Sequence, residues 1–242
     1  MELIKPKVLV LYGEGINAHQ ELLHAFSKAG FLSELVHINQ FISTPSLIRE
    51  FHVLAFPGGF SFSDEVKSGE LLSLLIKEKL KEELQNFIKS KKLIIGICNG
   101  FQVLMELNAF DDFKDDRVLT LTENDHGKFQ NFWTEVEVIQ NESPWLKNIT
   151  ENFYLPVRHK EGRLFGDISN IKPVLKYKED INGSIQNIAG VTSLNGQVFG
   201  LMPHPEAALY DFLNPHFVPS ANIDITNKIF TNAYSYSLKE FF

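Results

Sequence analysis

Lys92–Leu107 reads KLIIGICNGFQVLMEL, and this stretch decides the fold. Lys92–Ile97 is a short continuous apolar run of the kind that forms a strand buried on both faces. It runs into Gly96-Ile97-Cys98-Asn99-Gly100 and then, with no linker, into the helical spacing of Asn99–Leu107. A buried strand that turns at once into a helix is the unit of a parallel sheet covered by helices. The G-x-C-x-G spacing is a cysteine form of the nucleophile elbow, whose tight turn lifts the nucleophile above the sheet edge. The flanking glycines allow close backbone approach and unusual angles, and the helix dipole favours a thiolate at Cys98. A lone buried cysteine is most often an inert small hydrophobe; the elbow spacing is what argues against that here.

Toward the N-terminus the same alternation repeats. KVLVLY (Lys7–Tyr12) predicts a buried strand, and residues 17–29 a helix with Leu22, Leu23 and Phe26 on one face and Gly30 as its stop. A strand over 31–38, a short helix over 44–50 behind Ser43 or Thr44, and a strand over 52–56 follow, the last ending at Pro57-Gly58-Gly59. A long amphipathic helix is expected over 70–89. From about Val118 the pattern turns strand-rich, over 132–139, 174–177, 187–193 and 197–202, before a last helix over 224–238. The expected fold is α/β, an open mostly parallel sheet with helices on both faces and a strand-rich second half. With no repeat, low-complexity segment or linker visible, residues 1–242 are expected to form a single domain.

Composition narrows the function classes. A net charge of −7 argues against a nucleic-acid or anionic-membrane surface as the main partner. Cys98 is the one cysteine, so no intrachain disulfide can form. No apolar run reaches transmembrane length and no signal-like cleavage site follows the first strand, so a cytoplasmic setting is expected. No cluster has metal-ligand spacing, and neither a metal nor an organic cofactor is expected. Gly13-x-Gly15-x-x-Ala18 follows the first strand and formally matches a dinucleotide-binding fingerprint. That motif needs a carboxylate near the end of the second strand, where this chain has Val36-His37-Ile38-Asn39, so the stretch reads as a plain strand-to-helix turn.

Two further elements could complete a thiol site. Gly200-Leu201-Met202-Pro203-His204-Pro205-Glu206 follows a strand, and in an extended loop the flanking prolines would stiffen the backbone around His204. The imidazole could then act as base toward Cys98 while Glu206 fixes its tautomer. Gly58 and Gly59, at the carboxyl end of the third strand, can present bare backbone N–H groups to the space above the sheet. With the N–H of Asn99 they would make an oxyanion hole.

These elements, in this order, resemble the class I (triad) glutamine amidotransferases, a flavodoxin-like family. More narrowly, the chain is similar to the glutaminase subunits of phosphoribosylformylglycinamidine synthase. The residues carrying that match are Pro57-Gly-Gly-Phe-Ser-Phe-Ser-Asp64 with Lys67-Ser-Gly69, Gly96-Ile-Cys-Asn-Gly-Phe-Gln102, Pro156-Val-Arg-His-Lys-Glu-Gly162, Asn182-Gly-Ser184 with Ile188-Ala-Gly190, and Gly200-Leu-Met-Pro-His-Pro-Glu206. The resemblance implies Cys98 as nucleophile, His204 as base and Glu206 as its orienter. It further implies that Gly59 and Asn99 supply the oxyanion donors, that Gln102 lines the glutamine pocket, and that His159 shapes the substrate side of the cleft. Implied partners are L-glutamine, an ATP-dependent synthetase large subunit that uses the ammonia, and a small accessory subunit. Docking is expected through the Phe60–Gly69 loop.

Ser63 and Lys160 stand where the family has glycine, Lys67 and Ala207 where it has arginine, and the tail beyond Tyr210 matches poorly. Three rival readings stay open at this point: an amidotransferase serving another synthetase, a cysteine-elbow hydrolase or chaperone of the same fold, and a non-enzymatic regulator.

Overall fold

The computed structural model describes residues 5–59, 70–114, 119–139 and 142–242. Its elements in chain order are β1 (Lys7–Tyr12), α1 (His19–Ala29), β2 (Leu32–His37), α2 (Ile38–Ser43), β3 (Val53–Phe56), α3 (Glu70–Lys89), β4 (Leu93–Ile97) and α4 (Asn99–Glu106). The second half holds β5 (Leu119–Thr122), β6 (Gln130–Val138), β7 (Phe153–His159), β8 (Arg163–Gly166), β9 (Lys172–Tyr177), β10 (Ile188–Thr192), β11 (Val198–Leu201) and α5 (Asn222–Phe241). Ser63, Asp64 and Lys67, with the expected docking loop, lie outside the described residues.

Nine strands form one sheet in the order β2-β1-β3-β4-β11-β10-β9-β6-β7, and β5 and β8 pair as a separate ribbon. The first five strands of that order are parallel, and the remaining ladders are antiparallel. The strand-rich second half therefore extends the same sheet. All five residues of β4 are buried, as a strand covered on both faces requires, whereas β6 mixes exposed and buried positions. From β1 the chain steps one way to β2 and the other way to β3, β4 and β11. Right-handed crossovers then put α1 on one face and α3 and α4 on the other. Edge-to-face contacts of Phe26 with Phe230 (5.2 Å) and Phe31 with Tyr234 (5.3 Å) dock α5 on the α1 side, while α3 packs on α4. Among the described residues no helix is long and apolar enough to cross a membrane.

The departures from the sequence reading have local causes. The run over 31–38 ends as a strand at His37, whose Nδ1 accepts from the Asn39 N–H (3.2 Å) and caps the short helix α2. Residues Pro45–Glu50 form a 3₁₀ turn in place of the expected short helix. Strand β7 was hidden by Pro156, which argues against a central strand; among the described residues β7 is an edge strand that pairs with β6 alone, where a missing N–H is tolerated. The four-residue strands β5 and β8 carry too short a pattern to signal themselves.

The elbow glycines work through clearance. A Cβ on Gly100 would overlap the Phe56 carbonyl, and one on Gly96 would lie 2.5 Å from the Gly100 oxygen. Helix α4 can therefore lie directly on β3 and β4 only with glycine at both places. Gly100→Ala should lower unfolding stability by about 2–3 kcal/mol through backbone displacement. Gly127→Ala, where a Cβ meets no atom within 4 Å and only positive φ opposes it, should cost about 1 kcal/mol. Denaturant titration of the two variants checks this, and equal midpoints would refute the clearance argument.

Candidate active site

Three loops leave neighbouring strands at matched register. Phe56 pairs with Gly96, Gly96 with Gly200, and Ile97 with Leu201, so the chain turns after β3, β4 and β11 emerge side by side at the carboxyl end of the sheet. The Cys98 N–H donates to the Leu201 carbonyl at 2.9 Å, tying the elbow to the strand that delivers His204. Cys98 itself adopts φ 52°, ψ −109°, a sparsely populated conformation that costs on the order of 1–3 kcal/mol. The unusual backbone angle expected of the flanking glycines thus falls on the nucleophile. Its thiol donates to the Arg158 carbonyl at 3.6 Å, which brings the far edge strand β7 back to the site.

His204 is held from three sides. Its N–H donates to the Pro156 carbonyl (2.9 Å), and its Nδ1–H donates to Glu206 Oε1 (2.7 Å). Gly58 leaves room for the ring, since a Cβ there would lie 2.8 Å from His204 Cε1 and 3.5 Å from Cys98 Cβ. The loop is not extended as expected: Pro205–Ala207 forms a 3₁₀ turn, and that turn swings the Glu206 carboxylate back to the imidazole. Both side chains are buried. Burial alone would push the imidazole down, but the Glu206 carboxylate and then the Cys98 sulfur outweigh it and push His204 up to about 10. With Nδ1 committed to Glu206, Nε2 is the nitrogen free for proton exchange. The Cys98 sulfur raises the ring's proton affinity both by its charge and as a hydrogen-bond partner, which places it on the Nε2 side of the imidazole.

The remaining sequence-derived residues divide into two groups. Gly59, at φ 147°, bridges to Ile16 and packs on the turn after β1, while the Gly58 carbonyl accepts from the Ala18 N–H at 3.2 Å. The turn that fails as a dinucleotide fingerprint thus forms a wall of the site. Asn99 opens α4, and its side-chain amide donates to Gln102 Oε1 (3.1 Å). The Gln102 amide in turn donates to the Glu161 carbonyl (2.6 Å), so its polar ends brace the corner after β7. His159 packs its ring on Gly162 and donates from Nδ1 to Asn124 Oδ1 (3.1 Å), because the Asn124 amide already donates to the carbonyls of Lys128 and His159. Burial first, and then the nearby His204 and His126, push His159 down to about 3, so it is neutral. Gln102 and His159 both support the 159–162 corner beside the nucleophile. Of the departures from the family pattern, Lys160 pairs with Glu123 at 2.9 Å and Ala207 is buried in the Glu206 turn.

A cleft of about 500 Å³ opens over Cys98, Gly59 and His204, and its other walls include Asn17, Glu21, Phe129, Asn131 and Arg158. Sequence reading did not assign these five. Arg158 stood within a quoted motif; the rest come from the turn before α1, α1 itself, and β6 or its approach, and only the folded sheet brings them here. The arrangement offers a thiol on a strained backbone and a buried imidazole carrying a proton at one cleft, parts that acyl transfer requires.

The model of the CobB/CobQ-like glutamine amidotransferase domain matches residues 5–237, well past Tyr210. A relative from Dehalococcoides mccartyi, named phosphoribosylformylglycinamidine synthase subunit PurQ, is 36% identical, with 96% of this chain and 98% of the relative covered. A protein of the same name from Methanococcus maripaludis is 35% identical over 88% of this chain and 86% of its own length. Among solved structures, a chain from PurLQS of Thermotoga maritima superposes with a TM-score of 0.79 at 29% identity, covering 96% of this chain and 99% of that one. A glutamine amidotransferase from the same organism superposes at 0.61 over 98% of this chain and 100% of its own, with 14% identity, and speaks for the fold alone.

The charge arrangement sets a titration. His204 should stay protonated to about pH 10, and Glu206→Gln should return its ring toward the ordinary value near 6.5 or below, because burial then acts with less opposition. Because the folded value lies above the unfolded one, the stability it contributes is complete below about pH 6.5 and is lost as pH rises toward 10. Imidazole NMR of wild type and variant checks the shift; an unchanged His204 midpoint in Glu206→Gln would contradict it.

Proposed function

The chain belongs to the CobB/CobQ-like glutamine amidotransferase family, and on that premise we propose that it is the glutaminase subunit of phosphoribosylformylglycinamidine synthase. In this reading it hydrolyses L-glutamine to glutamate and ammonia, and an ATP-dependent synthetase subunit uses the ammonia in purine biosynthesis. The observation that carries the reading is the β4–β11 register, which joins the elbow and the His204–Glu206 loop at one cleft. Relatives of that name match over 86–98% of their own length, and a chain of the PurLQS structure has the same overall shape, which supports the choice of synthetase and of a multisubunit assembly. A cytoplasmic setting suits a chemistry that needs Cys98 reduced.

Cys98 attacks the side-chain amide carbon as thiolate, and the negative charge passes to the carbonyl oxygen, held by the N–H groups of Gly59 and Asn99. His204, carrying a proton at neutral pH, gives it to the departing nitrogen as the C–N bond breaks. Ammonia leaves, and a glutamyl thioester remains on Cys98. The imidazole, now neutral, takes a proton from water as water attacks the thioester. Glutamate is released and the His204 proton is restored. Glu206 orients the ring throughout and stabilises its charged form.

An uncoupled glutaminase would waste glutamine, so turnover is expected to depend on docking and substrate binding. Glutamate release should rise at least about tenfold when the cognate synthetase subunits are added, a change of only about 1.4 kcal/mol in the barrier. Cys98→Ala should abolish glutamine hydrolysis and leave ammonia-dependent synthesis by the partner intact. His204→Ala should cost on the order of 10²–10⁴ in rate. Cys98→Ala retaining activity within a few-fold of wild type would remove the assignment.

A further inference from the structure

We propose that Arg158 and Glu21 recognise the charged head of the substrate, the guanidinium binding the α-carboxylate of glutamine and the Glu21 carboxylate its α-ammonium. The proposal rests on the glutaminase reading and assigns the part of the substrate that the triad does not touch. Both residues line the cleft that contains Cys98 and His204, and among its described walls they are the charged side chains outside that pair.

Their placement follows from the backbone. The Arg158 carbonyl accepts from the Cys98 thiol at 3.6 Å, so this residue lies directly against the nucleophile. Along β7, Val157 and His159 are buried and Arg158 is exposed, which turns its side chain into the open cleft. Glu21 stands in the first turn of α1, and that helix start is fixed to the site by the Ala18 N–H on the Gly58 carbonyl. Arg158 Nη1 and Glu21 Oε2 are 3.7 Å apart, and the two side chains are 43% and 45% exposed.

Such a long, solvated pair contributes only about 0–1 kcal/mol, so separating it costs little. A zwitterion entering between the two groups replaces one loose contact by two charge-assisted ones, and the planar guanidinium fork matches a carboxylate. The reach is right. Three carbon–carbon bonds of about 1.5 Å each separate the reacting amide carbon of glutamine from its α-carbon. A head group tethered that closely to Cys98 stays within the cleft whose walls carry Arg158 and Glu21. The two charges, one of each sign, also select an α-amino acid over a simple amide of the same length.

The test uses ammonia release by the full chain with its synthetase subunits present, for wild type, Arg158→Gln, Arg158→Lys and Glu21→Gln. The substrates are glutamine, 4-aminobutanamide (no α-carboxylate) and 4-carbamoylbutanoate (no α-ammonium). Arg158→Gln and Glu21→Gln should each raise the KM for glutamine about 10- to 100-fold, as for loss of a charged hydrogen bond, with kcat changing far less. Arg158→Gln should lose the preference for glutamine over 4-aminobutanamide yet keep that over 4-carbamoylbutanoate. Glu21→Gln should show the reverse, and Arg158→Lys should recover part of the affinity. An ion pair with a merely structural role would leave both preferences in place. Unchanged KM values, or equal losses on all three substrates, overturn the assignment while wild-type glutamine hydrolysis upholds the glutaminase reading. A wild type that hydrolyses none of the three overturns both.

Discussion

The parallel pairing of β4 with β11 is the constraint on which the site depends. These strands are distant in sequence, yet Gly96 lies opposite Gly200 and Ile97 opposite Leu201, so the next residues on each chain, Cys98 and the Met202–His204 turn, leave the sheet at the same level. A one-residue slip would invert every side chain of β11 relative to the two helix layers. Continuous burial of both strands makes that slip costly. The hydrophobic register of the core and the meeting of Cys98 with the His204 loop are therefore one requirement.

Around that pairing the fold holds groups that would not hold themselves. Cys98 stays in a disfavoured backbone conformation because its N–H is bonded to Leu201, its C=O accepts from the Gln102 N–H, and α4 is pressed onto β3 through Gly100. A buried imidazole stays charged because Glu206 is curled beneath it by a 3₁₀ turn. His159, equally buried and with only a neutral asparagine partner, is driven the opposite way. Of two histidines in one neighbourhood one is thus charged and the other neutral, and a main difference is whether the hydrogen-bond partner carries a charge.

The parallel half of the sheet and the meeting of Cys98, His204 and Glu206 were legible in the sequence because their signals are local. A strand, a G-x-C-x-G turn and a helix are contiguous, and His204 and Glu206 are two residues apart. The first wall of the cleft was less legible: the turn after β1 was read as connection only, and its role depends on the Ile16–Gly59 bridge. The Arg158 wall of the cleft was illegible for a different reason. Arg158 lies on β7, which Pro156 disguises and which meets Cys98 only because the antiparallel strands bring the far edge of the sheet back to the site. Gln102 and His159 were expected at the substrate pocket, but single-residue patterns do not show that their polar atoms would be taken up by Glu161 and Asn124.

If one register builds both a reactive thiol and a glutamine-shaped cleft above it, a diazo-ketone analogue of glutamine should find them together. Incubating the protein with that electrophile and mapping the adduct by peptide mass spectrometry tests this most directly. The account predicts one adduct per chain, on Cys98, that excess glutamine blocks. An adduct that glutamine fails to block, or none at Cys98, would contradict it.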